Sequence, residues 1–180
     1  MPNLTLTWLD KLLERFSGRN LSTPERTLNT FNKGIHDIEK RHHKRAAQRF
    51  TEAIKASPQS AKFHHYRADA YALNCDYEQA IVDYDTAARL NPLYPDTYLD
   101  RGNAHYQLNQ LETALKDFSE AIRLKPDWAE AYANRAVIHL ELGNTEESIN
   151  DAEAAKEYGV DESQLDEMLE VDRNEALNTD

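Results

Sequence analysis

Three arginines and three aspartates in this 180-residue chain recur at fixed intervals. Arg67, Arg101 and Arg135 are evenly spaced, and Asp83, Asp117 and Asp151 each follow one of them by sixteen. A guanidinium and a carboxylate can form a bidentate, charge-assisted pair, and the same groups also serve in acid–base and electrostatic catalysis. A catalyst needs such a pair once, beside a nucleophile or a second acid in a pocket. A pair repeated three times suits a repeated structural task instead. The expected role is a partly buried ion-pair ladder that fixes helix register, either within one repeat or between neighbours.

The remaining reactive residue types assemble into no enzyme constellation. Seven histidines raise the question of a metal. His42 with His43 and His64 with His65 are adjacent pairs that point to different sides of a helix, and no Cys or second His follows at zinc-ligand spacing. His105 and His139 share a column with Tyr71 and read as packing residues. Cys75 is the single cysteine, which excludes an intramolecular disulfide. Placed in a turn, it reads as a small residue, with a redox role as the alternative. Gly18, Gly34, Gly102, Gly143 and Gly159 are too scattered for a phosphate-cradling loop. The expectation is a non-enzyme with no catalytic residue, no metal and no cofactor.

The elements that must hold these residues follow from a second set of columns with the same period. Ala46, Phe50, Ala53 and Pro58 are matched by Ala80, Tyr84, Ala87 and Pro92, then by Ala114, Phe118, Ala121 and Pro126; Ser148, Ala152, Ala155 and Val160 form a decayed fourth row. The first three members of each row lie on one helical face, and proline falls just past a helix end. Gly34, Ala68, Gly102 and Ala136 mark a preceding helix whose small residues allow close contact.

A 34-residue period with small, aromatic and proline columns resembles the tetratricopeptide repeat family. The stretch "YLDRGNAHYQLNQLETALKDFSEAIRLKP" carries the resemblance most fully. The resemblance implies an all-α, right-handed α-solenoid of four antiparallel helix pairs, over residues 27–60, 61–94, 95–128 and 129–162. Residues 1–26 would form an amphipathic N-terminal helix and linker, and 163–180 an acidic C-terminal capping helix and tail. It further implies a non-catalytic adaptor or scaffold, or an assembly factor, that binds a protein or peptide ligand in a concave groove lined by the first helices. The groove positions would include Phe31 and Ile35, then Lys62, His65, Tyr66 and Asp69, then Leu99, Asp100, Asn103 and Tyr106, then Ala133, Asn134 and Val137. Amides there can bond an extended backbone while aromatics bury side chains.

The best-known activity of that family grips chaperone C-terminal peptides with a carboxylate clamp of Lys, Asn, Asn, Lys and Arg. This chain departs from it. Across repeats one to three the clamp positions hold Phe31, Ile35, Tyr66, Asp96 and Asp100; across repeats two to four they hold His65, Asp69, Asp100, Glu130 and Asn134. Acidic side chains repel a carboxylate, so no clamp-type binding is expected and a neutral or basic segment is preferred.

Charge and flanks supply the alternatives. The net charge of −11 hides a gradient: residues 1–62 carry 12 Lys or Arg against 6 Asp or Glu, and the remaining 118 carry 9 against 26. Self-association of basic first repeat with acidic C-terminal end is the second reading. Nucleic-acid binding is not expected, because "KRHHKR" at Lys40 to Arg45 is one short cluster in an acidic chain. Trp8, Leu9, Leu12, Leu13 and Phe16 form one helical stripe, expected to cap the first repeat, with peripheral membrane or partner-helix contact as alternatives. Leu165, Met168, Leu169 and Val171 form a second stripe suited to sealing the last repeat. No apolar run approaches the ~20 residues of a membrane span. The expected location is a reducing one, cytoplasmic or in an organelle of bacterial descent.

Overall fold

The computed structural model describes residues 22–161, 163 and 165–169. The N-terminal stripe at 6–16, Val171 and the tail from 174 lie outside the described residues. Eight helices run in order: α1 (Thr23–Glu39), α2 (His43–Ala56), α3 (Ala61–Ala72), α4 (Tyr77–Leu90), α5 (Pro95–Gln107), α6 (Leu111–Leu124), α7 (Ala129–Glu141) and α8 (Thr145–Glu157). Residues 165–169 are helical as well, and no strand occurs among the described residues. None of the described helices is long and apolar enough to cross a membrane. Each helix packs on the next in the chain, and α1 also meets α3 as α3 meets α5, so the first helices of successive pairs lie in one row.

The turns between paired helices repeat as regularly as the helices. Arg41, Cys75, Asn109 and Gly143, each one full repeat after the last, take φ values of 59°, 62°, 55° and 75°. This left-handed residue lets two N–H groups turn back onto the carbonyls of the finished helix. Cys75 N donates to Ala72 O at 2.9 Å and Asp76 N to Tyr71 O at 2.9 Å; the same pair closes at Asn109–Gln110 and Gly143–Asn144. Between repeats the stop is different: Pro58, Pro92 and Pro126 stand two residues past the ends of α2, α4 and α6 and cannot continue them. The fourth repeat has no proline there, and Gly159 at φ 111° follows its last helix. Ser22 begins α1 with its backbone N–H donating to the Glu25 carboxylate at 2.8 Å.

The core is a file of small-on-large contacts at helix crossings. An added Cβ on Gly34 would stand 2.6 Å from the Phe50 ring, and one on Gly102 would stand 2.7 Å from the Phe118 ring. Both rings are almost wholly buried. Ala68 packs in one cluster with Tyr84, and Ala136 in another with Ala152, so the partner shrinks in the last repeat. Leu165 is fully buried against Ala133, Ala136, Ala152 and Ala155, with Met168 and Leu169 beside it.

The ion-pair columns meet within each repeat. Arg67 Nε and Nη2 donate to the two Asp83 oxygens at 2.6 and 2.7 Å. Arg101 binds Asp117 at 2.9 and 2.6 Å, and Arg135 binds Asp151 at 2.7 and 2.7 Å. The third nitrogen of each guanidinium reaches back to the preceding repeat, at Thr51 Oγ1 (3.0 Å), Asp85 Oδ1 (2.7 Å) and Ser119 Oγ (3.1 Å). These acceptors keep the same period as the arginines. One side chain therefore joins its own pair and stacks it on the last.

Lys33 and Arg49 occupy the pair columns in the first repeat, and looser packing or reliance on the N-terminal segment is the expectation from sequence. The structure builds the pair differently there. Buried Asp37, on the opposite helix from its counterparts, binds exposed Arg45 and lies 3.5 Å from Arg49 Nε. The bond from Arg45 holds the Asp37 carboxyl below the usual range. The polarity of the pair is reversed, and the Phe50–Gly34 approach stays as close as its counterpart at Gly102.

Two outcomes test this architecture. Gly102→Ala forces a buried ring to move and should cost about 1–3 kcal/mol in urea unfolding. Asp151→Asn leaves the partly buried Arg135 guanidinium, whose third nitrogen reaches only a hydroxyl, without its counter-charge and should cost about 3 kcal/mol by the same measurement.

Candidate functional site

The residues expected to line a groove all fall on first helices. Lys62, His65, Tyr66 and Asp69 come from α3, Leu99, Asp100, Asn103 and Tyr106 from α5, and Asn134 and Val137 from α7. Asn134 Nδ2 donates to Asn103 Oδ1 at 2.9 Å, joining α7 to α5. Lys62 Nζ stands 4.9 Å from the Phe31 ring centre and 5.8 Å from that of Tyr66, within cation–π range. Tyr106 O–H donates to Glu141 Oε1 at 2.7 Å. Leu99 and Val137 are buried, and Leu99 belongs to the core cluster around Phe118 rather than to open surface.

The most concentrated chemistry lies where α3 faces α5. His65 is 5% exposed, with Nε2 at 3.6 Å from Asp69 Oδ2 and 3.6 Å from Asp100 Oδ2. Asp69 lies one turn after His65, so helical spacing places the two together. Asp100 arrives from the next repeat. Burial pushes the carboxyls of Asp69 and Asp100 up to about 7, with Asp96 adding to the rise at both and Asp69 and Glu130 adding to it at Asp100. Tyr84 O–H, donating to Asp69 Oδ1 at 2.8 Å, opposes the shift at Asp69, and His65 opposes it at Asp100. Burial lowers the pKa of His65, against the pull of Asp100 and Asp96. The Tyr84 phenol is pushed up by burial and by Asp69.

Asp69 and Asp100 form part of the wall of a cavity of about 450 Å³ that spans α1, α3 and α5. Its other walls are largely apolar or aromatic, including Ile35, Ile38, Tyr66, Tyr77 and Tyr84. A smaller cavity of about 320 Å³ is lined by His65 together with Lys62, Tyr94 and Thr97. Sequence reasoning placed Tyr84 only in a packing column and did not single out Thr97, Tyr77 or Glu39. The His65–Asp69 spacing was a usable signal, because residues four apart share a helical face; a search limited to Cys and His partners passes over it.

Residues 76–109 and 102–143 match the family described as TPR repeat, and residues 129–158 match the tetratricopeptide repeat. The chain is a tetratricopeptide repeat protein. Its first helix pair lies outside the matched residues yet closes with the same left-handed turn, at Arg41. The first TPR of Spaghetti (RPAP3), a structure bound to HSP90 peptide SRMEEVD, is 27% identical with a TM-score of 0.65, covering 70% of this chain and 99% of that one. The second TPR domain of human RPAP3, in complex with HSP70 peptide SGPTIEEVD, is 26% identical with a TM-score of 0.62, covering 65% and 98%. MamA shares the fold, with a TM-score of 0.72 at 18% identity over 86% of this chain and 96% of that one. Over 65 residues the protein is 36% identical to Protein SGT1 homolog of Oryza sativa subsp. japonica; the match covers 36% of this chain and only 18% of that relative.

The raised carboxyls set a direction for stability against pH. A folded pKa near 7 means that, between about pH 4 and pH 7, this repeat protein holds protons that the unfolded chain releases, so stability falls as pH rises through that window. Asp100→Asn removes the cost of the buried charge. The variant should melt above the parent at pH 8 in the presence of a chelator, and the difference should close near pH 4, as read by circular dichroism.

Proposed function

We propose that this tetratricopeptide repeat protein is a non-catalytic adaptor that binds an extended segment of a partner protein along the first-helix row, and that the segment is neutral or basic. The observation that carries the reading is the acidic pair Asp69 and Asp100, standing on the wall of the cavity between α3 and α5. In the register of the family clamp, Asp100 occupies a clamp position whether the clamp is counted from the first repeat or the second. A peptide ending in carboxylates would meet negative charge where the clamp offers amide or cation. Tyr66, Asn103 and Asn134 offer the neutral contacts, with aromatic surface for side chains and amides for an extended backbone.

Peptide-bound relatives at 26–27% identity support protein binding as the activity of this fold, while the residues at the clamp positions argue for a different ligand charge. A role in assembling partner complexes, in a reducing compartment, extends the same reading. The groove is preferred over self-association through the charged ends and over membrane contact through residues 6–16, because aromatic, amide and acidic side chains gather on neighbouring first helices beside a cavity.

Fluorescence anisotropy with labelled SRMEEVD tests the charge argument directly. No saturable binding is expected at concentrations up to about 1 mM, the weak limit of specific recognition; micromolar binding would sink the proposed ligand charge. Affinity capture from a native lysate, with Tyr66→Ala, Asn103→Ala and Asn134→Ala combined in a folded variant, should lose the partner that the parent retains.

A further inference from the structure

Three donor atoms converge at the α3–α5 contact. One donor atom each from His65, Asp69 and Asp100 lies within 4.8 Å of the other two, and His65 Nε2 stands 3.6 Å from Oδ2 of each aspartate. At 3.6 Å these are not hydrogen bonds, and among the described residues the one hydrogen bond of the His65 ring is made by Nδ1. We propose that His65 Nε2, Asp69 Oδ2 and Asp100 Oδ2 bind a divalent first-row transition ion of the zinc class.

The distances suit that occupant. A triangle with sides of 3.6, 3.6 and at most 4.8 Å has a point at most about 2.4 Å from every corner, close to the 2.0–2.2 Å of zinc bonds to nitrogen and oxygen. Small rotations of the two carboxylates close the difference.

Two of the three ligands are also held from behind. His65 Nδ1 stands 3.1 Å from Thr97 Oγ1; as the protonated nitrogen it donates there, which leaves the Nε2 lone pair facing the aspartates. Tyr84 O–H donates to Asp69 Oδ1 at 2.8 Å, which leaves Oδ2 for the ion. Metal-binding histidines and carboxylates are commonly oriented in this way.

The cluster is not part of the repeating framework. The positions equivalent to His65 hold Phe31, Leu99 and Ala133, and those equivalent to Asp69 hold Ile35, Asn103 and Val137. The fold is thus built without ionisable groups at these positions in every other repeat, whereas the structural Arg–Asp pairs recur. An imidazole among the donors favours the zinc class over magnesium or calcium, which select all-oxygen shells. Three protein ligands leave a coordination position open. Because Asp69 and Asp100 also wall the 450 Å³ cavity, that position can be filled by water or by a donor group of a bound molecule.

The test is isothermal titration of the full chain, treated with chelator and dialysed, with ZnCl2 and with MgCl2 as the comparison. One zinc per chain is expected, with magnesium giving no heat at the same concentration. Asp100→Asn, at a partly exposed position that tolerates the change, and His65→Gln, checked for helicity by circular dichroism, should each weaken zinc at least tenfold. Thr97→Val should weaken it in the same direction. Cobalt(II) should give the visible absorption of a four-coordinate ion and lose it in Asp100→Asn. Absence of zinc binding overturns the proposal, as does binding that both ligand variants leave unchanged, which would place the ion on other histidines. A bound zinc would offset the charge of Asp69 and Asp100, so the peptide-anisotropy test is read on the chelator-treated chain, which keeps failure of the ligand-charge reading distinct from failure of the metal site.

Discussion

Each of the last three repeats depends on one guanidinium that makes three bonds in a fixed plane. Two go to the aspartate of its own second helix and one to the second helix before it. Lysine could not do this, because an ammonium lacks the rigid fork that addresses a carboxylate and a third acceptor together. Partly burying the charges carries a desolvation cost, so the pair is weak as a source of net stability. Its value lies in specificity. A helix slipped by one residue or one turn would strand a buried carboxylate, whereas the alanine-rich crossings alone would tolerate such slips more readily.

The reversed pair at Asp37 shows what the constraint is and what it is not. The repeat pairs a buried carboxylate with a cation across the helix pair; it does not need the cation on the first helix. Arg45 reaches Asp37 from the start of α2, and the packing beneath is retained through Phe50 and Gly34. The cost is regularity, since the first repeat has no guanidinium reaching back into an earlier one.

Against this periodic frame one cluster of ionisable side chains stands out as aperiodic. The Arg–Asp pairs, the left-handed turn residues and the small-on-aromatic crossings recur with the repeat because each unit must solve the same packing problem. His65, Asp69 and Asp100 form a grouping with no counterpart in the sibling repeats. They place two carboxylates near one another in a partly buried setting, where their proton affinity rises and stability is sacrificed. Destabilising groups gathered on the wall of a cavity, at positions that sibling repeats fill largely with apolar or neutral side chains, are the feature on which the proposed ligand site rests.

The sequence by itself determined the helices, their pairing and the period. Alanine, aromatic and proline columns state which faces are apolar and where each helix stops, and these are local facts of spacing. It also identified Arg67, Arg101 and Arg135 and their aspartates as partners of some kind, because repetition is visible without coordinates. Only the tertiary structure decided that each pair closes within a repeat while the third nitrogen ties to the one before. It also decided that Leu99 belongs to the core and that His65 is buried facing two acids. The reason is physical. The spacing of His65 and Asp69 is set by one helix and can be read along the chain, but Asp100 joins them through the angle at which one helix pair stacks on the next. That angle is set by the summed packing of many side chains, none of which specifies it alone.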